Sequence, residues 1–414
     1  MIRNKEIIIF FMLFFFIIPQ ETNAQKHFSI ETINGITVVS NPKKPIPKNG
    51  LKKRIVFKEE LSIGVIEGDE NYMFGAIILF NADDEGNFYV SDFDNKRIQK
   101  YDPKGKYLLT IGRVGQGPGE FESLSHVQFD REDNLYVLDR ISRRVSFFDK
   151  NGPYLRQIAT PNGFEYLYKN SKGLIVGQQI DKHEEGGIIN YVMKFGLFDE
   201  NFNIVVTFQT YESKVSFPSY SDESSMAKMW ADIFSQRAFK PQQTFALDKD
   251  LIYFGFPDKY VINIFSAKGK LIKKIRRDFD PIPVTKKDKV IYEKDEQERS
   301  EMLQRFPEHM RKKIFSLIKY PKYKPAYQKI TVMENGWLFV VVDSLENEYA
   351  LIDLFNKEGR YIAQFKTTVP TNNLFFKNGK AYAVAYENEF PFVKRYAIEL
   401  QEYKNGKWVK SNIK

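Results

Sequence analysis

The sequence predicts an all-β chain: a six-bladed β-propeller with an N-terminal strand closing the last blade and a helical insertion between blades four and five. Three observations predict it. The first is a pattern written twice, forty-seven residues apart. One copy reads Gly86-Asn87-Phe88-Tyr89-Val90-Ser91-Asp92, then Asn95, Arg97-Ile98, Tyr101-Asp102 and Gly105; the other reads Asp133-Asn134-Leu135-Tyr136-Val137-Leu138-Asp139, then Ser142, Arg144-Val145, Phe148-Asp149 and Gly152. A period of this length, with turn residues bounding short β-branched and aromatic runs, is how a four-stranded blade is written. The second is that strand runs and turns recur at Phe74–Ile111, Leu124–Ile158, Phe164–Phe208, Thr244–Ile275 and Gln328–Phe365. The third is a mismatch at the ends. The C-terminal unit, Leu374 to Leu400, has three runs and lacks a fourth, while Ile55 to Ile66 holds a strand with no repeat partner.

Placing Phe57 to Ile63 in the last blade makes the ring six and removes two exposed edges. Seven blades, with the Phe28–Val39 hairpin inside a divergent one, is the alternative count. That hairpin is predicted by Asn34-Gly35 between two β-branched runs, and the Pro- and Lys-rich segment from Asn41 to Gly50 reads as an extended connector.

Before it, Arg3 and Lys5, an apolar run from Ile7 to Ile18, and Thr22-Asn23-Ala24 read as a secretory signal cleaved near Ala24. The run is shorter than the ~20 residues a spanning helix needs, and no second one follows, so no transmembrane span is expected in the mature chain. The domain plan is a signal peptide at 1–24, a hairpin and connector at 25–53, and a propeller at 54–414 with insertions 207–243 and 276–327.

Aromatic residues make up 15 % of the 414 residues, with 37 Phe and 23 Tyr, which suits packing between β-sheets. There is no cysteine, which excludes disulfides, thiolate metal sites, a Cys nucleophile and a lipid anchor on cysteine. The net charge of +9 on an exported chain points to anionic envelope polymers, lipids or acidic proteins rather than nucleic acid. The plainer reading is a solvated, lysine-rich surface.

Tyr89-Val90-x-Asp92, Asn95-x-Arg97-Ile98, Tyr101-Asp102-x-x-Gly105 and Gly115-Gln116-Gly117-Pro118-Gly119-Glu120-Phe121 together resemble the NHL-repeat six-bladed propellers, over Asn81 to Gln157. The resemblance implies the propeller fold and, as its commoner use, recognition of proteins or polymers. Certain secreted NHL-type propellers are peptidylamidoglycolate lyases that hold zinc with channel histidines, which makes a metal-assisted lyase or hydrolase the second expectation. The ligand set is not matched here residue by residue.

Two segments break the blade rhythm. Thr207 to Gln243 and Arg276 to Tyr327 both connect the fourth strand of one blade to the first of the next, so they rise from one face, where long loops carry function. In the first, Ser221-Asp222 caps a short helix through Met226, Met229-Trp230 and Ile233-Phe234. In the second, Thr285 with Asp288 forms a cap, and Pro307 suits a first helical position before Met310, Ile314, Leu317 and Ile318. Arg311, Lys312, Lys313 and Lys319 flank that apolar stripe. A basic amphipathic helix predicts peripheral contact with an anionic membrane as one use and packing on its own domain as the other.

Among chemical groups, Asp92, Asn95 and Arg97, like Asp139, Ser142 and Arg144, read as staples of a strand turn. Gly112, Gly115, Gly117 and Gly119 lack the Gly-Lys-Ser/Thr ending of a phosphate loop. No Gly-x-Ser-x-Gly nucleophile elbow is present. Aligning the first strands puts Leu79, His126, Glu165, Gln242, Lys329 and Asn372 in one ring at the channel mouth. The alternate positions, including Phe80, Val127, Tyr166, Ile330 and Asn373, are expected to pack between blades. His126, His183 and His309 could then approach one cavity, a donor set that would suit zinc. Calcium in an acidic turn such as Asp83-Asp84 or Glu184-Glu185 is the other metal expectation.

The expectation is therefore an exported binding module that requires no cofactor. Its ligand would sit at His126, Glu165, Gln242, Lys329 and Asn372, and its partner, a protein or anionic envelope polymer, at Arg311, Lys312 and Lys313.

Overall fold

The structure, a computed structural model, describes residues 28–46, 50–130, 134–216, 222–345, 349–371 and 373–411. The signal segment Met1 to Ala24, Ser221 and Asn372 lie outside the described residues.

Three strands precede the first repeat: β1 (Ser29–Ile33), β2 (Ile36–Asn41) and β3 (Lys53–Ile63). Blade one is β4 (Ile77–Ala82), β5 (Phe88–Asp92), β6 (Arg97–Tyr101) and β7 (Tyr107–Ile111), and blade two is β8 (His126–Phe129), β9 (Leu135–Asp139), β10 (Arg144–Phe148) and β11 (Tyr154–Ala159). Blade three holds β12 (Phe164–Lys169), β13 (Ile175–Glu185), β14 (Ile188–Phe198) and β15 (Ile204–Ser216). After helix α1 (Glu223–Ser235) comes blade four: β16 (Thr244–Asp248), β17 (Leu251–Gly255), β18 (Val261–Ser266) and β19 (Leu271–Arg277). Helices α2 (Lys286–Arg299), α3 (Glu301–Gln304) and α4 (Glu308–Leu317) lead into blade five, β20 (Lys329–Val332), β21 (Leu338–Leu345), β22 (Tyr349–Phe355) and β23 (Tyr361–Thr367). The last blade contains β24 (Phe375–Lys377), β25 (Lys380–Glu387), β26 (Phe390–Lys404) and β27 (Lys407–Ser411).

These strands form six separate sheets, each built on a four-stranded antiparallel meander, with strands from the N-terminal part of the chain added to those of blade four and the last blade. Among the described residues no hydrogen-bonded sheet runs around the ring; side chains join the blades. An aromatic contact crosses every junction: Tyr89 to Phe129, His126 to Tyr168, Phe195 to Phe254, Tyr260 to Phe355, Phe339 to Phe376 and Phe80 to Phe375, the last joining blade six to blade one. The Phe and Tyr content is thus spent where flat sheets must be filled across a wedge-shaped gap. The second strands of the two clear repeats, Phe88–Asp92 and Leu135–Asp139, are buried at every position because both their faces meet another blade.

The two chain ends meet in the last sheet. β3 pairs antiparallel along the outer edge of β26, from Ile63 opposite Val393 to Lys53 opposite Glu402. β27 hairpins back onto the far end of β26, a strand the sequence reading did not assign.

Two expectations need correction. The Phe28–Val39 hairpin is neither a separate N-terminal element nor part of a seventh blade: β2 runs parallel to β19 and makes blade four a six-stranded sheet. The first insertion begins as strand, not loop. The β13–β14 hairpin, turning at Gly186-Gly187, is longer than a usual blade strand, so β15 continues to pair as far as Ser216 opposite Ile188. Backbone donors that a loop would leave to solvent are satisfied by that template.

Candidate functional site

The repeated Asp and Arg positions build the frame of the site. Asp92 is fully buried and accepts from Arg97 Nε at 3.0 Å, Asn95 Nδ2 at 2.8 Å and the Gly75 amide at 3.1 Å. Arg97 reaches on to the carbonyls of Met73 and Glu70. In the next blade Asp139 accepts from the amides of Glu122 and Ser142, and Arg144 donates to the carbonyls of Gln116 and Glu120 at 2.7 Å each. Each pair therefore pins the incoming inter-blade connection to the end of the second strand. The Gly-rich loop is part of this joint, because Gly112 has a positive φ and a Cβ there would strike the Phe121 ring. Asp343 at the end of β21 is a third version. Its partner Lys324 comes from the connection itself, with Lys324 Nζ 3.1 Å from Asp343 Oδ2 and 2.7 Å from Asp288 Oδ1.

Those contacts seat the second insertion. Thr285 and Asp288 form the expected capping box of α2, and Asp222 caps α1 by accepting from the amides of Ser224 and Ser225. Pro307 stands at the cap position of α4 rather than inside the helix, with ψ 156°. The two insertions pack on each other: Ala227, Ala231 and Phe234 of the first bury against Met310, Ile314, Phe315 and Ile318 of the second. The apolar stripe of α4 is thereby used inside the protein, apart from Leu317, which is exposed. Peripheral membrane contact through that stripe is corrected by this packing. Lys312 pairs with Glu308 at 2.7 Å, Arg311 donates to the Phe306 carbonyl, and Lys313 is exposed.

The first strands of the blades touch their neighbours around the axis: β4 to β8, β8 to β12, β16 to β20 and β20 to β24. Rings complete the circle, Tyr168 meeting Phe245 and Phe80 meeting Phe375. At the end of this channel that faces the insertions lies a polar chain across three blades. Arg140 Nη1 of blade two donates to Glu165, Gln178 Nε2 reaches the other oxygen of Glu165 at 3.5 Å, and Gln243 Nε2 donates to Gln178 Oε1. Gln242, the expected member, is exposed beside it. Lys329, the first residue of β20, donates to the Thr371 carbonyl at 3.0 Å and has no carboxylate partner among the described residues. Burial lowers its pKa to about 8.

His126 does not open to the channel. It is 1 % exposed, edge-on to Tyr168 at 4.3 Å, with Nε2 unpartnered, and burial lowers its pKa to about 3. His183 is exposed within β13, not in a turn, and His309 stands 3.5 Å from Glu223, bridging α4 to α1. The three histidines do not converge, and among the described residues no group of three His, Asp or Glu side chains could hold a metal ion. Asp83 spends its oxygens on the amide and side chain of Asn87. The donor set expected for zinc, or for calcium in this turn, is therefore not assembled.

Tyr166 was expected to pack between blades; its ring does meet both neighbours, yet the residue stays partly exposed. A β-bulge between Glu165 and Leu167 puts Tyr166 at φ 56°, breaks the period of two, and leaves the residue 41 % exposed. Its ring lies 5.6 Å from Phe245 of blade four and 6.4 Å from His126 of blade two. Tyr166 thus meets the first strands of both neighbouring blades. Arg140, Gln178 and Gln243 were also missed, because their meeting requires three blades to be in place.

Residues 66–319 match the family described as 6-bladed beta-propeller (DUF5128), and the chain belongs to that family. No curated protein matches it. Among solved structures it is similar to a Bacteroides fragilis protein described as an exported protein, with 12 % identity over 88 % of this chain and 100 % of the other at TM-score 0.52. It is also similar to a DUF4221 member from Bacteroides vulgatus, with 9 % identity over 84 % and 99 % at TM-score 0.45. A third is virginiamycin B lyase from Staphylococcus aureus, with 9 % identity over 87 % and 89 % at TM-score 0.36. Among the described residues no helix is long and apolar enough to cross a membrane.

Proposed function

We propose that this member of the family is an exported binding module that recognises a protein or an anionic polymer on the face carrying the two insertions. One observation supports the reading: helices of the two insertions pack on each other around Phe234, Met310 and Ile314, and Lys324 fastens the second insertion to blade five. A propeller needs only short links there, and long ordered excursions at one mouth are the usual sign of a recognition surface. The resemblance of Asn81 to Gln157 to NHL repeats supports recognition as the use. Export is supported by the charged start, the Ile7 to Ile18 run and Ala24.

The test is capture of the anionic polymer fraction of the native envelope on immobilised protein. Replacing Arg311, Lys312 and Lys313 together by Glu should lower capture at low salt about tenfold, an effect that fades as salt screens it. Capture that is equal for both proteins at every salt concentration would remove the charged-face reading. The metal-assisted lyase or hydrolase gains no support from the separated histidines.

A further inference from the structure

Helices α2 and α4 of the second insertion line a common groove of about 460 Å³, a size within the range of ligand sites. Helical spacing explains who lines it. Glu308, Arg311, Lys312, Phe315 and Ser316 fall at i, i+3, i+4, i+7 and i+8, which is one face of α4, and Glu293 and Gln297 are four apart on α2. The stripe at Met310, Ile314 and Ile318 is spent on α1, so this face is the one that the packing of the insertions leaves open. Phe315 belongs to both: it lines the groove, yet it is only 7 % exposed and stacks on Phe234 of α1 with ring centroids 6.3 Å apart. It is a fixed apolar patch, not a mobile side chain.

The polar lining keeps hydrogen-bonding capacity in reserve. Arg311 gives one N–H to the Phe306 carbonyl and pairs with no carboxylate among the described residues, so most of its planar fork remains for a ligand. Glu293 accepts from the Tyr320 hydroxyl at 3.0 Å through Oε1 alone, Gln297 is exposed, and Ser316 donates to the Lys313 carbonyl while its oxygen can still accept. Glu308 and Lys312 neutralise each other at 2.7 Å. Two acids and two bases therefore share one cleft with an amide and an aromatic ring, and that mixture decides between partners. A polyanion repeats one charge along its length and would set it against Glu293 and Glu308 as well as Arg311, a like-charge conflict that selects against it. A peptide can give one carboxylate to Arg311, main-chain N–H groups to Glu293 and Gln297, and an apolar side chain to Phe315.

We propose that the groove between α2 and α4 docks an acidic segment of a partner protein, with an Asp or Glu side chain held by Arg311 and a neighbouring aliphatic side chain seated on Phe315. The proposal rests on the binding-module reading and names a protein, not a polymer, as its partner. Arg311 meets a carboxylate with two parallel N–H bonds, a geometry that a lysine does not reproduce. Glu293 supplies selectivity, since it accepts from main-chain N–H groups and repels a second acid. Lys313 and Lys319, exposed on the same insertion but outside the groove lining, add long-range attraction for an acidic segment.

Selection of random phage-displayed peptides on the full mature chain, with counter-selection on Arg311→Glu, tests it. The selected peptides should carry Asp or Glu beside an aliphatic residue. The tightest of them, labelled with a fluorophore, should bind Arg311→Met about tenfold or more weakly and Arg311→Lys nearly as weakly, while Lys313→Met, outside the groove, should change binding no more than about twofold. Melting temperatures of the variants show that the fold is kept. Polyglutamate serves as the polyanion probe: it should bind more weakly than the peptide, and Glu293→Gln should strengthen polyglutamate alone. Peptides without an acid, or binding untouched by Arg311→Met, overturn the proposal. So does polyglutamate that binds through Arg311 as tightly as the peptide, which would make the partner a polyanion. If no peptide is selected while capture of envelope polymer still depends on Arg311, Lys312 and Lys313, the groove proposal falls and the binding-module reading stands.

Discussion

Lys324 and Asp343 form a buried ion pair, Nζ to Oδ2 at 3.1 Å, with side chains only 5 % and 4 % exposed. It joins the connection leaving the helical cap to the end of the second strand of blade five, and Asp288 at the start of α2 completes it from the other side. The cap is thus fastened to the ring at the position where blades one and two use Asp92 and Asp139 to hold their own connections.

Replacing Lys324 by Met should leave two carboxylates facing each other with their counter-charge removed, a loss of about 3–5 kcal/mol for a broken buried pair. Hydrogen exchange should then rise first in α2 and α4, ahead of the blades. Protection unchanged in those helices would mean that apolar packing alone holds the cap.

Removal of residues 50–63 should prevent cooperative folding, since it takes the outer strand from β26 over the register Ile63–Val393 to Lys53–Glu402 and exposes that edge. Within the intact chain, Ile63→Ala should cost about 2–4 kcal/mol, because Ile63 is 2 % exposed in the cluster with Phe74, Tyr101 and Val393. Thermal melts followed by circular dichroism check both, and a two-state melt of the truncated chain would show that the ring does not need this strand.

His126 should make the protein sensitive to acid. Its pKa is about 3 in the fold and about 6.5 in the unfolded chain, so between those values the unfolded state takes up a proton that the folded state refuses. Stability therefore falls as pH drops through that window. Denaturant midpoints of the wild type and His126→Phe at pH 7 and pH 4 should converge in acid, and parallel shifts in the two proteins would refute the assignment.

Lys329 should act at the other end of the scale. With a pKa of about 8 in the fold and about 10.4 unfolded, it binds fewer protons when folded between those values, so stability rises with pH across that window. Below pH 8 the cost of holding the charge is present in full. Lys329→Met should therefore melt higher than wild type at pH 7, with the gain shrinking toward pH 10. A variant equal to wild type at pH 7 would mean that water in the channel solvates the amine.

Arg144→Ala should be more damaging than an ordinary surface arginine change, by about 2–3 kcal/mol, since its guanidinium serves two carbonyls of the inter-blade connection. A loss below about 0.5 kcal/mol, the range of a surface substitution, would demote the staple to a decoration.

The sequence by itself determined the blades, because a strand's pattern is local. The repeat at Phe88 and Leu135, the Asp and Arg staples, the partnerless strand before Ile63 and the capping residues Asp222 and Thr285 each depend on neighbours a few positions away. Tertiary structure decided the site. His126 and Lys329 were aligned as equals, yet one is sealed between blades and the other lies by the channel, a difference set by what packs across from them. The bulge that turns Tyr166 outward adds one residue to a period of two, and no composition announces it. Arg140, Glu165, Gln178 and Gln243 come from three blades, so their meeting exists only once the ring has brought distant strands within reach of each other.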